Sequence, residues 1–279
     1  GAGGLRARDR GRRVSALTHW ITRRGDGAVH WATMFARTWR FAARALILML
    51  TPSTYNKATR LVIERQIYFT AWQILPGFAA FAALFSVVFI QIVGATASDF
   101  GLYEYALELV IRVLVLEIFP LMTALFIALR TGAAINTEVA LMQIQNELEA
   151  LERVGVDPMR VELLPRVVGG TVSVLALTAV SITVALFLAH LMIIELKPWS
   201  LPPGIYSFTV AKVLTIPTFL VLLFKTLLFG LAVTVIPISE GLATPKRLYS
   251  APIAVLRGMV RLFFALMLIE VVSLAALYV

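Results

Sequence analysis

Apolar and polar positions run along this chain in long blocks. Five blocks, 67–93, 105–135, 167–194, 206–238 and 251–279, are apolar over more than the roughly 20 residues a hydrocarbon core requires. Pro76-Gly77 predicts a kink in the first, and Pro217 lies inside the fourth. Between the second and third blocks the pattern changes to a 3.6-residue period. Leu141, Ile144, Leu148 and Leu151 form one stripe, and Gln143, Asn146, Glu147, Glu149 and Arg153 face away from it. Glu149 stands four residues before Arg153, the favourable order for an intrahelical pair. Gly155 and then Asp157-Pro158 stop the pattern, so an amphipathic helix is expected over about 137–154. A second amphipathic pattern precedes the first block. Trp31, Phe35, Trp39, Ala42 and Leu46 share one helical face, with Arg37, Arg40 and Arg44 on the other. Aromatics opposite arginines suit a helix lying in the plane of an anionic membrane surface.

Composition agrees with the pattern. Of 279 residues 59% are hydrophobic and 15% charged, against about 45–50% and 25% in soluble domains. The expectation is one integral membrane domain over 67–279, preceded by a basic tail (1–27) and an interfacial helical region (28–66). The tail has no signal-type apolar core directly after it, so it reads as a cytoplasmic arm rather than a cleaved signal. The net charge of +9 comes mostly from the first 66 residues. It reads as positive-inside topology, not as nucleic-acid binding. The N-terminal arm and the loops after the second and fourth blocks carry nearly all of the extramembrane basic residues, while the opposite side has Lys197. That places the N-terminus and the acidic helix in the cytoplasm and the C-terminus outside. The chain has no cysteine, and His19, His30 and His190 lie too far apart in sequence to suggest a metal site.

Ionisable residues at membrane depth include Glu108, Arg112, Glu117, Arg130, Lys225 and Glu270. Each costs at least about 2.5–3.5 kcal/mol to insert, so each should face protein or water. Glu108 and Arg112 are four apart on one helix, and Glu117, Lys225 and Glu270 are placed to pair between helices. A structural role competes here with an ion or proton relay. Proton-coupled carriers usually repeat their helices in two halves, and these five unequal blocks show no repeat. His190, near the outer end of the third block, reads as an interfacial hydrogen-bonding residue. No G-x-x-x-x-G-K-[ST], H-E-x-x-H or G-x-S-x-G motif occurs, so any energy for transport must come from another subunit.

The central stretch resembles the MlaE-type permeases, the membrane subunits of MCE-associated ABC transporters. Glu117, Pro120, Thr123, Ala124, Leu125, Arg130, Gly132, Ala133, Ala134 and Glu138 stand in matching places of that family's E-L-G-P-V-L-T-A-L-L-V-A-G-R-V-G-A-A-L-A-A-E-I-G segment. Glu147, Leu148, Ala150, Leu151, Glu152, Val156, Asp157 and Pro158 match its E-Q-[LI]-D-A-[ML]-E-x-[ML]-x-[VI]-D-P block. Pro165-Arg166 and Ser239-Glu240-Gly241 match two further short motifs, and the likeness covers roughly 60–279. Phe119, Leu129 and Asn146 depart from the family pattern. So does Leu116, which stands where the family has an Arg; Arg112 lies about a turn earlier.

The resemblance implies an all-α integral membrane protein with an N-terminal interfacial amphipathic helix. Five transmembrane helices follow, with a cytoplasmic coupling helix between the second and third. It further implies a homodimer, or a dimer with a related permease, driven by a cytoplasmic ABC ATPase that holds the ATP and Mg; no cofactor is expected in this chain. An MCE-domain protein would sit on the outer side and a STAS-domain protein on the ATPase, in a bacterial inner membrane, with phospholipid or a related lipid as cargo. Glu138, Leu141, Glu147, Leu148, Glu149, Leu151, Glu152 and Asp157 are the expected ATPase-coupling residues, with Leu148 and Leu151 as apolar anchors and spans two and three receiving the motion. The competing readings are a self-contained ion- or proton-coupled carrier and a non-transporting membrane scaffold.

Overall fold

The structure is a computed structural model that describes residues 33–192 and 204–278. Trp31, the basic tail, and Lys197 with the Pro- and Trp-containing loop around it lie outside the described residues. The chain divides into two compact units, Gly1–Arg44 and Ala45–Val279. Helix α1 occupies 33–50. In the part of it that belongs to the first unit, Phe35 and Trp39 are 61% and 69% exposed, and Arg37, Arg40 and Arg44 are exposed as well.

Within the second unit every described element is helical. Five runs are long and apolar enough to cross a membrane: Thr59–Asp99, Tyr105–Ile144, Met159–His190, Ile216–Leu242 and Ser250–Leu277. The first is broken as Pro76 predicts. Helix α2 (Lys57–Ile67) passes through a wide π-helical turn, Tyr68–Trp72, and α3 (Leu75–Asp99) restarts with Pro76 in its first turn. Proline is tolerated there because the first-turn N–H groups have no helical acceptor in any case. The second run is built from α4 (Tyr103–Leu109), α5 (Phe119–Ile127) and α6 (Ala133–Ile144), joined by π-helical segments Val110–Ile118 and Ala128–Gly132. A short helix α7 (Glu147–Arg153) follows. Then come α8 (Leu164–His190), α9 (Ile205–Val213), α10 (Ile216–Leu242) and α11 (Ser250–Tyr278).

Two expectations are corrected. The fourth apolar block is not one helix from 206 to 238. It breaks after Val213, and α10 begins afresh at Ile216 with Thr215 as N-cap, its hydroxyl accepting from the Thr218 N–H. Pro217 thus starts a helix instead of kinking one, for the same reason as Pro76; the proline inside α10 is Pro237. The amphipathic helix over 137–154 is not continuous either. Span two runs on to Ile144, and the chain turns at Asn146, whose φ of 61° is left-handed. Asparagine reaches that conformation more readily than other non-glycine residues. The far end of α7 closes as expected at Gly155, with a φ of +80°. There Val156 N–H donates to the Leu151 carbonyl and Gly155 N–H to that of Glu152, both at 3.0 Å.

Close helix contacts are made where side chains are absent. A Cβ on Gly230 of α10 would stand 2.8 Å from the Thr171 Cα of α8, and one on Gly170 would stand 2.3 Å from the Thr234 methyl. Small residues let membrane helices approach until backbones touch, which is where their packing energy arises. Gly77, by contrast, faces open space. Gly230→Ala should therefore cost about 1–3 kcal/mol through overpacking, while Gly77→Ala should be no less stable than the parent chain. Thermal unfolding of the detergent-solubilised variants checks this ordering.

Candidate functional site

Three helices converge on one ammonium group. Lys225 of α10 is only 2% exposed, and Glu117 of span two and Glu270 of α11 both pair with it, Glu270 Oε2 at 2.9 Å. Its Nζ also donates to the Leu116 carbonyl at 3.2 Å. Pro120, four residues on, has no N–H to offer that carbonyl. The Phe229 ring centroid lies 5.9 Å from the same nitrogen. A groove of about 460 Å³ between α10 and α11 reaches this site, walled by Leu220, Phe224, Leu268, Ile269 and Val272.

A second cluster lies nearer the start of span two. Glu108 accepts from Arg112 Nε at 2.9 Å, as the spacing suggests, and from Lys212 of α9 at 2.8 Å, which sequence reasoning did not assign. The cluster borders a groove of about 420 Å³ lined by Ile92, Phe100, Tyr105 and Leu109. Arg130 is exposed, and its guanidinium donates to the Phe69 carbonyl at 3.3 Å. His190 packs edge-on against Tyr206 at 4.8 Å, and the Tyr206 hydroxyl donates to the Leu186 carbonyl.

The expected coupling residues are dispersed by the turn at Asn146. Glu138 and Leu141 belong to span two, and Glu138 pairs with Arg166 of α8 at 3.4 Å. Leu148 is buried within the chain and is not an outward anchor, while Leu151 is half-buried. Glu149 pairs with Lys246, not with Arg153 four residues on, since the loop after α10 brings the lysine against it. Lys246 holds the Glu149 carboxyl below the usual carboxylate range. A depressed carboxyl pKa means this contact is present at neutral pH and lost as pH falls through the lowered value. Asp157 accepts the Met159 N–H at 2.9 Å and so caps the helix that begins span three. Glu147 and Glu152 remain exposed.

Other joints were not singled out in the sequence. Glu240, 1% exposed, pairs with Arg261 of α11. Asn136 Nδ2 donates to the Ala254 carbonyl at 3.2 Å and occupies the space beside Gly258. The Ser239-Glu240-Gly241 motif was visible as a family match, but its burial inside the helix bundle was not.

The described residues thus form five helical runs of membrane length, with a short acidic helix between the second and third. Comparison with known proteins gives the class. The family described as Permease MlaE matches residues 63–276. A probable ABC transporter permease protein of Synechocystis is 30% identical over 128 residues, 46% of this chain and 48% of that relative. One from Pyropia yezoensis is 27% identical over 223 residues, 77% of this chain and 79% of the relative. The intermembrane phospholipid transport system permease protein MlaE of Haemophilus influenzae is 32% identical over 99 residues, 36% of this chain and 38% of its own length. The chain thus aligns with about half or less of the Synechocystis and Haemophilus relatives. The chain belongs to the MlaE permease family, and as a permease it is a non-catalytic membrane component.

Lys225→Met leaves two carboxylates buried without a counter-charge and should destabilise by about 3–5 kcal/mol. Adding Glu117→Gln and Glu270→Gln removes that charge and should recover much of the loss. Melting curves that stay as low in the triple variant as in Lys225→Met would contradict the ion-pair account.

Proposed function

We propose that this chain is the permease subunit of an ABC transporter that moves phospholipid or a related lipid between a bacterial inner membrane and the rest of the envelope. The observation that carries the reading is α7. It is an acidic helix at the ends of two membrane spans, with Glu147 and Glu152 exposed, in a chain of an ABC permease family that has no P-loop. In this reading α7 lies in the cytoplasm and docks on a separate ATPase, which holds the ATP and Mg. The distribution of basic residues supports this orientation, with the N-terminus inside and the C-terminus outside. Helix α1, with exposed Phe35 and Trp39 opposite Arg37, Arg40 and Arg44, suits the inner membrane interface.

Lipid as cargo is supported by the phospholipid transport named for the Haemophilus relative and by apolar grooves that reach membrane-embedded charges. The outward face of α11, with Leu256, Val260, Phe264, Leu268 and Val272 all more than half exposed, suits a second permease copy or a related permease. An MCE-domain protein on the outer side and a STAS-domain protein on the ATPase complete the assembly, by family resemblance. Charge reversal of Glu147 and Glu152 should release or uncouple the ATPase while the permease still inserts. The checks are co-purification and lipid transfer between vesicles; both unchanged after reversal would sink the reading.

A further inference from the structure

Helix α7 has seven residues, and so short a helix has almost no stability of its own. Its pose is set by what holds it. Leu148 is buried beneath it, and Lys246, reaching in from residues 243–249, donates to the Asn146 side-chain carbonyl and pairs with Glu149. One ammonium thus grips both the left-handed residue at the elbow and the first turn of the helix. The segment bearing Lys246 leads directly into α11: Ser250 N–H donates to the Arg247 carbonyl at 2.9 Å, and Ala251 N–H to that of Leu248 at 3.3 Å.

On the other side of the elbow, α6 is fastened to the same helix. Asn136 Nδ2 donates to the Ala254 carbonyl, and Gly258 leaves it room; a Cβ there would stand 2.3 Å from that nitrogen. The tie from α6 to α8 is a looser one, the Arg166–Glu138 pair at 3.4 Å with Glu138 58% exposed. The elbow is therefore held at two points, one on each side of Asn146: α7 to the loop that leads into α11, and α6 to α11 itself. Helix α11 continues unbroken to Tyr278 and carries Glu270 to the Lys225 site and Leu268 to the groove wall.

We propose that Lys246 is a positioning residue that transmits the pose of α7 to α11. Motion imposed on α7 then enters the membrane through span five, not through spans two and three alone. Residues 243–249, with exposed Leu248 and Tyr249, form the second half of the docking surface beside exposed Val154. The inference rests on the reading of α7 as an ATPase docking helix, and its test separates the two.

The chain has no cysteine, so spin labels can be placed through Val154→Cys on the α7 end and Leu256→Cys on α11, both strongly exposed. In lipid nanodiscs without any ATPase, the parent chain should give a narrow inter-label distance distribution. Lys246→Glu and Glu149→Lys should each broaden it, and the double charge swap or Lys246→Arg should narrow it again. An unchanged distribution in Lys246→Glu overturns the clasp whatever α7 docks on. In the assembled, unlabelled transporter, Lys246→Glu should lower permease-stimulated ATP hydrolysis about two- to fivefold, the scale of one exposed ion pair, and the swap should restore it. Full stimulation in Lys246→Glu despite a broadened distribution overturns the transmission. A parent chain that binds no ATPase defeats the docking reading itself while leaving the label result standing.

Discussion

An ammonium group cannot be left alone at membrane depth, and the arrangement of spans two, four and five follows from that constraint at Lys225. Desolvating the charge costs several kcal/mol, recovered only when every donor finds an acceptor in good geometry. Here the partners come from two places far apart in the chain: the adjacent Leu116 carbonyl and Glu117 carboxylate of span two, and Glu270 of α11. Misplacing any of the three helices breaks the set. The site therefore specifies which helices meet and at what depth, which apolar packing among similar helices does weakly.

Around this point the bundle is stiff. Glycines bring α8 and α10 to backbone contact, and the buried Glu240–Arg261 pair joins α10 to α11. Stiffness in the middle makes the ends the places where motion can enter. The elbow at Asn146 is such a place: α7 is short, exposed on its acidic side, and held by contacts of surface type. A rigid α11 reaching from that elbow to the Lys225 site offers a mechanical connection from a partner's docking surface to the groove between α10 and α11.

Much of this was legible in the sequence, for identifiable reasons. Hydrocarbon thickness makes each span announce itself by length, and all five appear where apolar blocks stand, although span two runs nine residues past its expected end at Ile135. Pro76, Gly155 and the Glu108–Arg112 spacing act through local geometry and behaved as local rules state. Family resemblance rests on residue order, and the match over 63–276 agrees with it. The expectations that failed are those in which a local rule competes with a distant partner. Glu149 has Arg153 one turn away yet pairs with Lys246, and the stripe through Leu141 and Leu148 is divided between two helices.

The sequence by itself determined an all-helical chain of five membrane-length spans, its family, and the residue types that must find partners in the membrane. These depend on how many apolar residues cover a fixed thickness and on short-range backbone preferences, both readable along one dimension. The pairing of Glu117 and Glu270 with Lys225 was anticipated; only the tertiary structure decided which other partners meet: Lys212 at Glu108, Lys246 at Glu149 and Asn136 at Ala254. Helix periodicity states which side of a helix a residue occupies, not which neighbour covers that side. That choice belongs to the packing of the whole bundle.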